Sequence, residues 1–581
     1  MTGFVPRHAW DAVIETRGDR GFIRFVSPSA RKVNFAWENE NLPTVLKSYV
    51  HSLQDEGVPL FQLDAVSNLA KNALEKELKW KVSTVPTSVY TVDSDCSSLS
   101  VHEALKEDEF ADALPELYAK LHPYQREGVA FALSRYANSF QGCGIFDEMG
   151  LGKSLQALGV MKFLMETEES VHTLIVCPGY LRGNWKSEMI KWNVFPPEKI
   201  QTMTKLTDRP CYDDTSTVVL ASYRWMRENV EHLSQTTLCV FDEAHLLKNA
   251  YHTRDRDCSL RYLAARDMVK MVKFTLFLTG TPAPNCPREL YSLLHLINAI
   301  PDMLYAEFAF RYCKRYFSRL FFGWHDEGVS AANELRLLQK RYFVRRLAKD
   351  HLRGLPDEMR SFVTLPLHGG KAHLKKLAKE REALLEKLQN PSLTDSQRQS
   401  TSKKVQFNRT AQLVASAKAK NKSFKQYFTQ YLLDHPSGEP FIVFAYHEET
   451  LLALHTLFDE LNVHSRLVYG KTPKTEVSEI IEHFQSGAVE VLILSLAMSA
   501  GLNLQVCNTA FFAEVAWSPG VLSQAEKRIH RQGSEHSRVH YIYLFGESPA
   551  ICEEVYKKCT RKKRTVRSAI ESELAAKRQK F

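Results

Sequence analysis

Three short segments of this chain combine residue types and spacings that suit phosphate chemistry. Residues 147–154, Asp-Glu-Met-Gly-Leu-Gly-Lys-Ser, place two glycines beside a lysine and a serine. Gly150 and Gly152 let backbone N–H groups approach phosphate oxygens without a side chain in the way. Lys153 can reach the β- and γ-phosphates, and the Ser154 hydroxyl can ligate Mg²⁺. The segment is therefore a candidate nucleotide-binding loop, with ATP and Mg²⁺ as its expected ligands.

The residues on either side of this loop fit a strand–loop–helix unit. Gly144-Ile145-Phe146 is a short apolar run, and residues 155–165 carry apolar side chains at helical spacing. A helix that starts at the loop would point its positive N-terminus at the phosphates. Asp147 stands where the general phosphate-loop pattern has glycine. Taken alone, the segment is equally well interpreted as a glycine-rich turn before a helix.

Asp242 and Glu243 follow the apolar run Leu238 to Phe241, which predicts a strand that ends in two carboxylates. In α/β proteins, ligands bind at this carboxyl edge of the sheet. Asp242 can hold Mg²⁺, directly or through water, and Glu243 can polarise an attacking water. Alone, the pair could equally be an acidic turn, but its place after a phosphate loop favours the catalytic interpretation.

Arg528 and Arg531 lie three residues apart on a helix predicted over Val521 to His530, so they share one face. Two arginines aimed at a γ-phosphate would stabilise the charge that builds up in the transition state. The alternative is an ordinary basic helix face. An apolar run over residues 491–496, a turn of small residues and a second strand over residues 509–513 precede the arginines, and this order favours the catalytic interpretation.

In this order the motifs resemble those of Swi/Snf-type motors of helicase superfamily two, whose first motif also begins with Asp-Glu. The resemblance runs from about Leu121 to Lys558 and includes a Q-motif, which implies that Gln125 reads adenine. The other segments that carry it are Val176-Cys177-Pro178 followed by Trp185, Leu278-Thr279-Gly280-Thr281-Pro282, and Arg345-Arg346-Leu347 before Leu355-Pro356.

A finer resemblance is to the annealing-helicase subfamily, whose members act at branched DNA such as stalled replication forks. A HARP substrate-recognition domain normally precedes the motor in that subfamily, and only a faint echo of it is present here. The segments that carry this resemblance are Phe310-Arg311-Tyr312-Cys313, Gly323-Trp324, Phe407-Asn408-Arg409-Thr410-Ala411, Phe512-Ala513-Glu514 and Trp517-Ser518-Pro519-Gly520-Val521-Leu522.

The resemblance implies an α/β fold of two RecA-like P-loop lobes with helical Swi/Snf-type insertions and a small N-terminal α/β module. It implies a nuclear, DNA-dependent ATPase that translocates on double-stranded DNA and reanneals or remodels branched DNA. Such a motor tracks the backbone, so little sequence preference and a strong salt dependence are expected. The sequence does not identify protein partners.

Three other functions are compatible with parts of the sequence. A nucleosome or chromatin remodeler is the alternative within the same enzyme class, weakened by the lack of an obvious histone-reading module. A DNA-binding scaffold without activity is disfavoured because every expected catalytic residue is present. An Asp-Glu-Ala-His RNA helicase is disfavoured by the first motif and by Arg531-Gln532-Gly533.

Composition agrees with a multidomain protein of ordinary globular type. The chain has 581 residues, of which 44% are hydrophobic and 25% are charged, and its net charge of +9 suits DNA phosphate without predicting it. The 11 cysteines are odd in number and lack a C-x-x-C pair, which indicates reduced thiols in the cytosol or nucleus. Neither a membrane-spanning run nor a signal-peptide core over Met1 to Trp10 is visible, so no membrane association is expected.

The sequence predicts six regions along the chain. They are an N-terminal α/β module (1–83), a linker (84–113) whose residues 84–100 are rich in Ser, Thr, Asp and Pro, the first lobe (114–367), a helical insertion (368–438), the second lobe (439–556) and a basic tail (557–581). Within the module we predict strands at Gly21–Phe25, Lys32–Trp37 and Val58–Leu63 and helices at Asn41–Leu53 and Asp64–Trp80.

Two regions keep more than one interpretation. In the insertion, leucines such as Leu374, Leu377 and Leu388 line one helix face, which is more simply a packing surface than a DNA-contacting protrusion. Residues 392–404, which follow that helix, are polar and predict a flexible loop. The basic tail could be a nuclear-localisation signal, a DNA-contacting extension or a solvated helix end.

Overall fold

The computed structural model describes the secondary structure of residues 11–17, 20–26, 52–55, 58–63, 81–84 and 92–571. Within the last range it omits 213–214, 251–257, 302, 319–322, 391, 437, 499–501, 503, 532–533 and 548–550, and side chains are described from residue 99 onward with a few exceptions. The described chain contains a five-stranded N-terminal sheet and two larger parallel sheets of seven and six strands. The predicted α/β architecture with two RecA-like lobes is thereby confirmed.

The N-terminal sheet has the strand order β3-β4-β2-β1-β5. Its strands are β1 Asp11–Arg17, β2 Arg20–Val26, β3 Ser52–Asp55, β4 Val58–Leu63 and β5 Lys81–Thr84. The strands predicted at Gly21–Phe25 and Val58–Leu63 are present, whereas the end of the helix predicted over Asn41–Leu53 is strand β3. The strand predicted at Lys32–Trp37 and the helix predicted at Asp64–Trp80 lie outside the described residues.

The first lobe is built on a sheet with the order β14-β6-β11-β10-β7-β9-β8. Its helices are α1 Val92–Ala113, α2 Pro115–Lys120, α3 Pro123–Ala137, α4 Lys153–Thr167, α5 Arg182–Lys191, α6 Tyr223–Asn229, α7 Leu260–Met271, α8 Leu290–Leu296, α9 Tyr305–Tyr312 and α10 Ala332–Tyr342. Its strands are β6 Gly142–Ile145, β7 His172–Cys177, β8 Ile200–Thr202, β9 Thr217–Ser222, β10 Leu238–Asp242, β11 Phe274–Leu278 and, after a hairpin of β12 Tyr316–Ser318 and β13 Gly323–His325, β14 Phe343–Val344.

The second lobe has the strand order β15-β20-β19-β16-β18-β17. Its strands are β15 Asp357–Leu365, β16 Phe441–Ala445, β17 Ser465–Val468, β18 Val491–Ser495, β19 Thr509–Phe512 and β20 Arg538–Gly546. The short helix α11 Ala348–His351 lies between the lobes, and the helices that follow are α12 Lys371–Gln389, α13 Asp395–Ala419, α14 Asn421–Asp434, α15 Glu448–Glu460, α16 Lys474–Gln485, α17 Pro519–Glu526 and α18 Ile551–Ile570.

Both large sheets are buried on both faces, as parallel sheets require. Along β10, Leu238 and Val240 pack into one hydrophobic cluster while Cys239 and Phe241 pack into the cluster on the opposite face. Successive residues of strand β16 in the second lobe alternate in the same way between two clusters. The carboxyl edge of each sheet is therefore the exposed edge from which loops can present catalytic side chains.

Two predicted boundaries of the first lobe are wrong. The linker prediction fails over Val92–Ala113, because this stretch is helix α1, with Phe110 fully buried against Phe163 and Glu103 paired with Arg135. Its polar composition hides the few apolar positions that dock it. Residues 357–365, placed in the first lobe, form β15, which pairs with β20 of the second sheet.

Two polar segments predicted to be unstructured or exposed are helical. Residues 395–404 belong to helix α13, which starts at a capping box between Thr394 and Gln397. The first half of the predicted basic tail belongs to α18, and residues 572–581 lie outside the described part. Val555 and Cys559 of α18 are buried in the second lobe, whereas Ala569 is buried in the first.

The insertion is fastened to the second lobe by a buried lysine. Lys420, with no exposed surface, lies between α13 and α14, and its Nζ donates to the backbone oxygens of Ala513 at 2.6 Å and Leu544 at 2.8 Å. These carbonyls belong to the end of the β19 strand and to β20. The lysine thus satisfies two buried acceptors that would otherwise stay unpaired.

We predict that Lys420→Ala lowers the free energy of unfolding of the second lobe by about 2–4 kcal/mol, since two buried carbonyls lose their donor. Lys425→Ala, five residues further along the chain, removes only an exposed ion pair with Glu460. It should change the free energy of unfolding by no more than about 0.5 kcal/mol. Urea unfolding combined with hydrogen exchange of β19 and β20 measures both. Equal effects of the two substitutions would contradict the anchoring role.

Candidate active site

The candidate phosphate-binding loop connects β6 to α4, as the sequence predicts. Helix α4 begins at Lys153, directly after Gly152, whose φ of 71° is left-handed. A Cβ on Gly152 would collide with Nε2 of Gln125, so glycine is required here for space as well as conformation. Gly150 has a φ of 88°, and no heavy atom lies within 4 Å of the position its Cβ would take. The loop therefore leaves room for an anion at the N-terminus of α4.

Lys153 is held inside the loop by two backbone carbonyls. Its Nζ donates to Asp147 O at 2.9 Å and to Glu148 O at 3.3 Å. Burial lowers the pKa of Lys153, and the charges of Glu243, Asp147 and Asp242 oppose that shift. The ammonium therefore shares one electrostatic environment with the carboxylates of the second motif.

Gln125 braces the loop from α3. Its Oε1 accepts from His122 N at 3.0 Å, and its Nε2 donates to Leu151 O at 3.2 Å. The side chain is buried, and both ends of its amide are engaged. Its contact with the phosphate loop is a finding, whereas its role as adenine reader stays a prediction.

Strand β10 ends at Asp242, as predicted, and three groups fix this residue. Oδ2 accepts from Trp185 Nε1 at 2.9 Å, Oδ1 accepts from Glu243 N at 2.9 Å, and the Tyr223 hydroxyl donates to Asp242 O at 2.8 Å. Burial raises the pKa of Asp242, and the neighbouring charge of Glu243 raises it further. The sequence identifies Trp185 only as part of a motif, and its pairing with Asp242 emerges only from the fold.

Glu243 occupies a conformation that is rare for a residue with a side chain. Its φ of 52° and ψ of 48° are left-handed, which costs about 1 kcal/mol for a non-glycine residue. Such backbone strain clusters at functional positions. Burial acts to raise the pKa of Glu243, but His245, Lys153 and Arg528 outweigh it, so the pKa is lowered and the carboxylate stays ionised.

His245 lies beside the candidate catalytic carboxylate. Its Nδ1 is 3.2 Å from Glu243 Oε2 and 3.1 Å from the hydroxyl oxygen of Thr279. Both neighbours belong to the first lobe.

The two candidate arginines do not lie on a helix. Helix α17 ends at Glu526, four residues earlier than predicted, so Arg528 lies in the turn that follows and Arg531 lies just beyond that turn. Arg528 is buried and donates to Gln524 O at 3.1 Å and Leu502 O at 3.2 Å, and its Nη2 lies 4.0 Å from the sulfur of Met149 in the phosphate loop.

The electrostatic surroundings of the two arginines differ. Burial lowers the pKa of Arg528, and the charge of Glu243 across the interface opposes that shift. Arg531 is close enough to Arg528 for their charges to interact, and its Nε donates to Lys527 O at 3.4 Å. Burial, followed by repulsion from Arg528, lowers the pKa of Arg531 to about 9. Glu243 of the first lobe thus acts on the charge of Arg528, whereas the charge that acts on Arg531 is that of Arg528.

The two lobes meet at the segment after β11. Gly520 N donates to Pro284 O at 3.0 Å, and Gln524 Nε2 donates to the hydroxyl oxygen of Thr281 at 3.2 Å. A Cβ on Gly520 would stand 2.5 Å from Pro284 Cβ, so the approach requires glycine. The site is therefore composed of groups from both lobes.

Ser154 and Asp242 are the oxygen ligands that the sequence predicts for Mg²⁺, and this assignment stays a prediction. No group of three or more His, Cys, Asp or Glu side chains able to hold a metal occurs in the described part of the chain. Mg²⁺ commonly uses one or two protein oxygens and takes its other ligands from substrate phosphates and water. The hydroxyl in the first turn of α4 and the strand-end carboxylate fit that pattern.

The cysteines whose side chains the structure describes are free, and most are buried. None of the described helices combines the length and apolar character needed to cross a membrane.

Two family models match the chain. The SNF2-related domain matches residues 124–425, and the helicase conserved C-terminal domain matches residues 421–533. The predicted resemblance to Swi/Snf-type motors is thereby confirmed.

Curated relatives cover most of the chain. It is 30% identical over 446 residues to the SWI/SNF-related matrix-associated actin-dependent regulator of chromatin subfamily A-like protein 1 homolog of Caenorhabditis elegans, a match that covers 75% of this chain and 60% of the relative. It is 31% identical over 463 residues to the DNA annealing helicase and endonuclease ZRANB3 of Bos taurus, covering 77% and 40%. The chain thus spans between 40% and 60% of the length of these two relatives.

A solved structure, the Sulfolobus solfataricus SWI2/SNF2 ATPase core in complex with dsDNA, is also similar. The identity is 21%, the TM-score is 0.36, and the match covers 78% of this chain and 97% of that one.

We predict that Gly520→Ala separates the lobes without unfolding either, because the new methyl group would overlap Pro284. Gly183, also in the first turn of a helix, has no heavy atom within 4 Å of its Cβ position and provides the matched control. Hydrogen exchange at Gly520 and its neighbours should rise in the Gly520→Ala variant and stay unchanged in Gly183→Ala. Protection at wild-type level in both variants would show that the lobes do not need this contact.

Proposed function

The chain belongs to the SNF2-related family, whose domain matches residues 124–425 of its 581 residues, and from this premise we propose a specific activity. The protein is an ATP-dependent translocase on double-stranded DNA that reanneals or remodels branched DNA such as stalled replication forks. The observation that carries the proposal is that Arg528 of the second lobe reaches the phosphate loop that carries Lys153, where its Nη2 lies 4.0 Å from the sulfur of Met149.

Lys153 and the phosphate loop bind the triphosphate of ATP in this proposal. The open space at Gly150 and the N-terminus of α4 accommodate phosphate oxygens, and Lys153 exchanges its backbone acceptors for the β- and γ-phosphates. Gln125, which fixes the loop, lies where the family resemblance implies an adenine reader. When bound, Mg²⁺ neutralises charge on the phosphate oxygens, and Ser154 and Asp242 would hold it.

Glu243 and Arg528 act on the bond that breaks. Glu243 is ionised and orients the attacking water toward the γ-phosphate. Arg528, from the second lobe, stabilises the charge on the phosphate oxygens in the transition state, and Arg531 supports it from behind. Because these groups come from different lobes, hydrolysis requires the lobes to be closed, and release of products lets them open.

This cycle converts ATP turnover into movement along DNA when each lobe holds the DNA backbone in turn. The reannealing activity is supported by the similarity to a relative that is called a DNA annealing helicase, whereas the name of the other relative refers to chromatin. The same names support a nuclear location, which we propose for this chain.

The regional organisation is proposed in corrected form. We propose that residues 1–83 form a separate N-terminal module. Its five-stranded sheet, which is separate from the sheets of the two lobes, supports this division. Residues 92–113 belong to the first lobe, and the second lobe begins at β15. The N-terminal module is the candidate element for recognising the branch, because every ATP-site residue lies after it.

The function is tested by measuring ATP turnover with single-stranded, duplex, forked and nucleosomal DNA, and with RNA. We expect strong stimulation by duplex DNA, more by forked DNA, and little by RNA. Reannealing of a melted fork at the cost of ATP would support the activity directly. Stimulation mainly by nucleosomes would favour the remodeler instead, and the absence of DNA-stimulated turnover would refute the proposal.

We predict that Lys153→Ala removes ATP binding as well as turnover, whereas Glu243→Gln binds ATP with Mg²⁺ normally and loses turnover by at least about 100-fold. The difference arises because Lys153 contacts phosphate in the ground state and Glu243 acts only on water. Equilibrium binding of a fluorescent ATP analogue and a coupled ATPase assay separate the two effects. Near-normal turnover of Glu243→Gln would exclude Glu243 from the chemistry.

We predict that Arg528→Ala lowers DNA-stimulated turnover by a factor of about 10³ to 10⁵ while ATP affinity changes only a few-fold. The effect of Arg531→Ala should be milder, because Glu243 acts on the charge of Arg528, whereas the charge that acts on Arg531 is that of Arg528. The comparison uses kcat and the dissociation constant of ATP for both variants. If Arg531→Ala were the more damaging substitution, the order in which the two arginines approach the phosphate would have to be reversed.

A further inference from the structure

Glu148, in the phosphate loop, lies at a junction of three parts of the molecule. Its Oε2 accepts from Ala348 N in the segment that leads from the first lobe to the second, at 2.9 Å. Its Oε1 lies 3.7 Å from Nζ of Lys527 in the second lobe. One carboxylate therefore contacts the loop that carries Lys153, the connecting segment and the second lobe.

The connecting segment is fixed to the same loop by a buried ion pair. Arg346 N and Nη1 each donate to the Asp147 carboxylate at 3.0 Å, and Asp147 has no exposed surface. Glu148 N in turn donates to Arg346 O at 2.9 Å. The backbone of Glu148 is thus tied to the connecting segment, and its carboxylate is tied to the same segment through Ala348 N.

Lys527 directly precedes Arg528, the arginine that reaches the site. A contact that holds Lys527 against the first lobe therefore also restricts where Arg528 can stand. Both side chains of the pair are mostly buried, with 19% of Glu148 and 17% of Lys527 exposed. The carboxylate–ammonium attraction across the interface is consequently less screened than that of a surface pair.

Lys527 has a second carboxylate partner within its own lobe. Its Nζ donates to Glu358 Oε1 at 2.8 Å and lies 3.0 Å from His530 Nδ1. The contact with Glu358 is shorter, but it joins two parts of the second lobe and cannot by itself report closure. The contact with Glu148 is the one that changes when the lobes separate.

The surrounding space gives this pair freedom to form and break. Glu148, Arg345, Lys527 and α18 residues such as Lys563 line a cavity of about 460 Å³ between the lobes. Lys153 and Asp242 do not line it, but Glu148 and Met149 of the phosphate loop do, so the cavity adjoins the phosphate site. Solvent in this cavity can take over the two charges when the lobes move apart.

We propose that Glu148 and Lys527 are positioning residues that couple lobe closure to the phosphate loop and thereby set the place of Arg528. The pair touches neither substrate nor the reacting atoms, and it acts through Arg528. The inference rests on the proposed ATPase function. It assigns to Glu148 of the first motif a role other than phosphate binding.

The test uses Glu148→Gln, Lys527→Gln and the double variant, each in the full-length chain. Each single substitution should lower DNA-stimulated kcat about 5- to 30-fold, with the KM for ATP within about twofold. The double variant should be no worse than the more affected single variant, since both substitutions remove the same interaction. Lys527→Arg, which keeps the charge, should retain kcat within about threefold.

Two controls separate this role from a merely structural one. Glu358→Gln removes the partner within the second lobe and should leave kcat within about threefold of wild type. Glu460→Gln removes a carboxylate from an exposed ion pair with Lys425 and should change nothing. If Glu358→Gln reproduces the defect and Glu148→Gln does not, or if the two single defects multiply in the double variant, the proposed coupling is wrong.

Hydrogen exchange at Gly520 and Gln524 in the protein without ATP provides a readout that does not depend on turnover. Glu148→Gln should increase exchange there at least about threefold, because the interface opens more often. Increased exchange in a protein that shows no DNA-stimulated ATPase would support the coupling and refute the proposed function. Unchanged exchange together with unchanged turnover would refute the coupling alone.

Discussion

Burial of the Arg528 guanidinium between the two lobes is the interaction on which the rest of the site depends. Burial lowers the pKa of this group, and its hydrogen-bond partners are two backbone oxygens and, weakly, the sulfur of Met149. A buried cation without a directly bonded carboxylate is poorly compensated. An anion bound at Lys153 would supply the missing charge, so phosphate binding and closure of the lobes must favour each other.

This dependence explains why the first lobe is so firmly braced around its phosphate loop. If the loop became disordered with every opening of the lobes, the cost of ordering it again would offset the free energy gained on closure. Instead, Gln125 from α3 holds the phosphate loop, and Arg346 from the connecting segment holds Asp147. Trp185 from α5 holds Asp242 in the same way. The first lobe thus presents a preorganised half-site, and the arrival of Arg528 completes it.

The sequence predicts the half-sites better than it predicts what joins them. Lys153 at a helix start and Asp242 at a strand end follow from local patterns, because glycine spacing and an apolar run each determine a short element. The end of α17 at Glu526 could not be predicted, since the segment from Val521 to His530 is uniformly compatible with a helix and the contact of Gly520 with Pro284 is long-range. The left-handed Glu243 leaves no trace in the sequence, because nothing in its residue type favours that conformation.

The errors in the regional boundaries have the same physical origin. Helix α1 has few apolar residues, and only a long-range contact such as that of Phe110 with Phe163 reveals that it belongs to the first lobe. β15 joins the second sheet through its pairing with β20, about 180 residues later in the chain, and no local pattern records that partner. Hydrophobic periodicity identifies elements, whereas sheet membership depends on contacts between distant segments.

Helix α18 shows how a charge pattern can mislead when its partners are distant. Lys558 pairs with Glu554, Lys563 lies 3.8 Å from Glu526, and Arg567 lies 3.9 Å from Glu571, so much of the basic run is matched by acidic groups of the protein itself. The apolar face buries Val555 in the second lobe and Ala569 in the first. A single rigid helix thus spans the interface that carries Arg528, and any opening of the lobes must detach one end of it. The first lobe holds its end of the helix through the buried Ala569, through donation of Gln339 Nε2 to the Ala569 carbonyl oxygen, and through Arg336, which donates to Ser568 O and Glu571 O. Opening of the lobes must therefore break either these contacts or the apolar packing of Val555 and Cys559 on the second lobe.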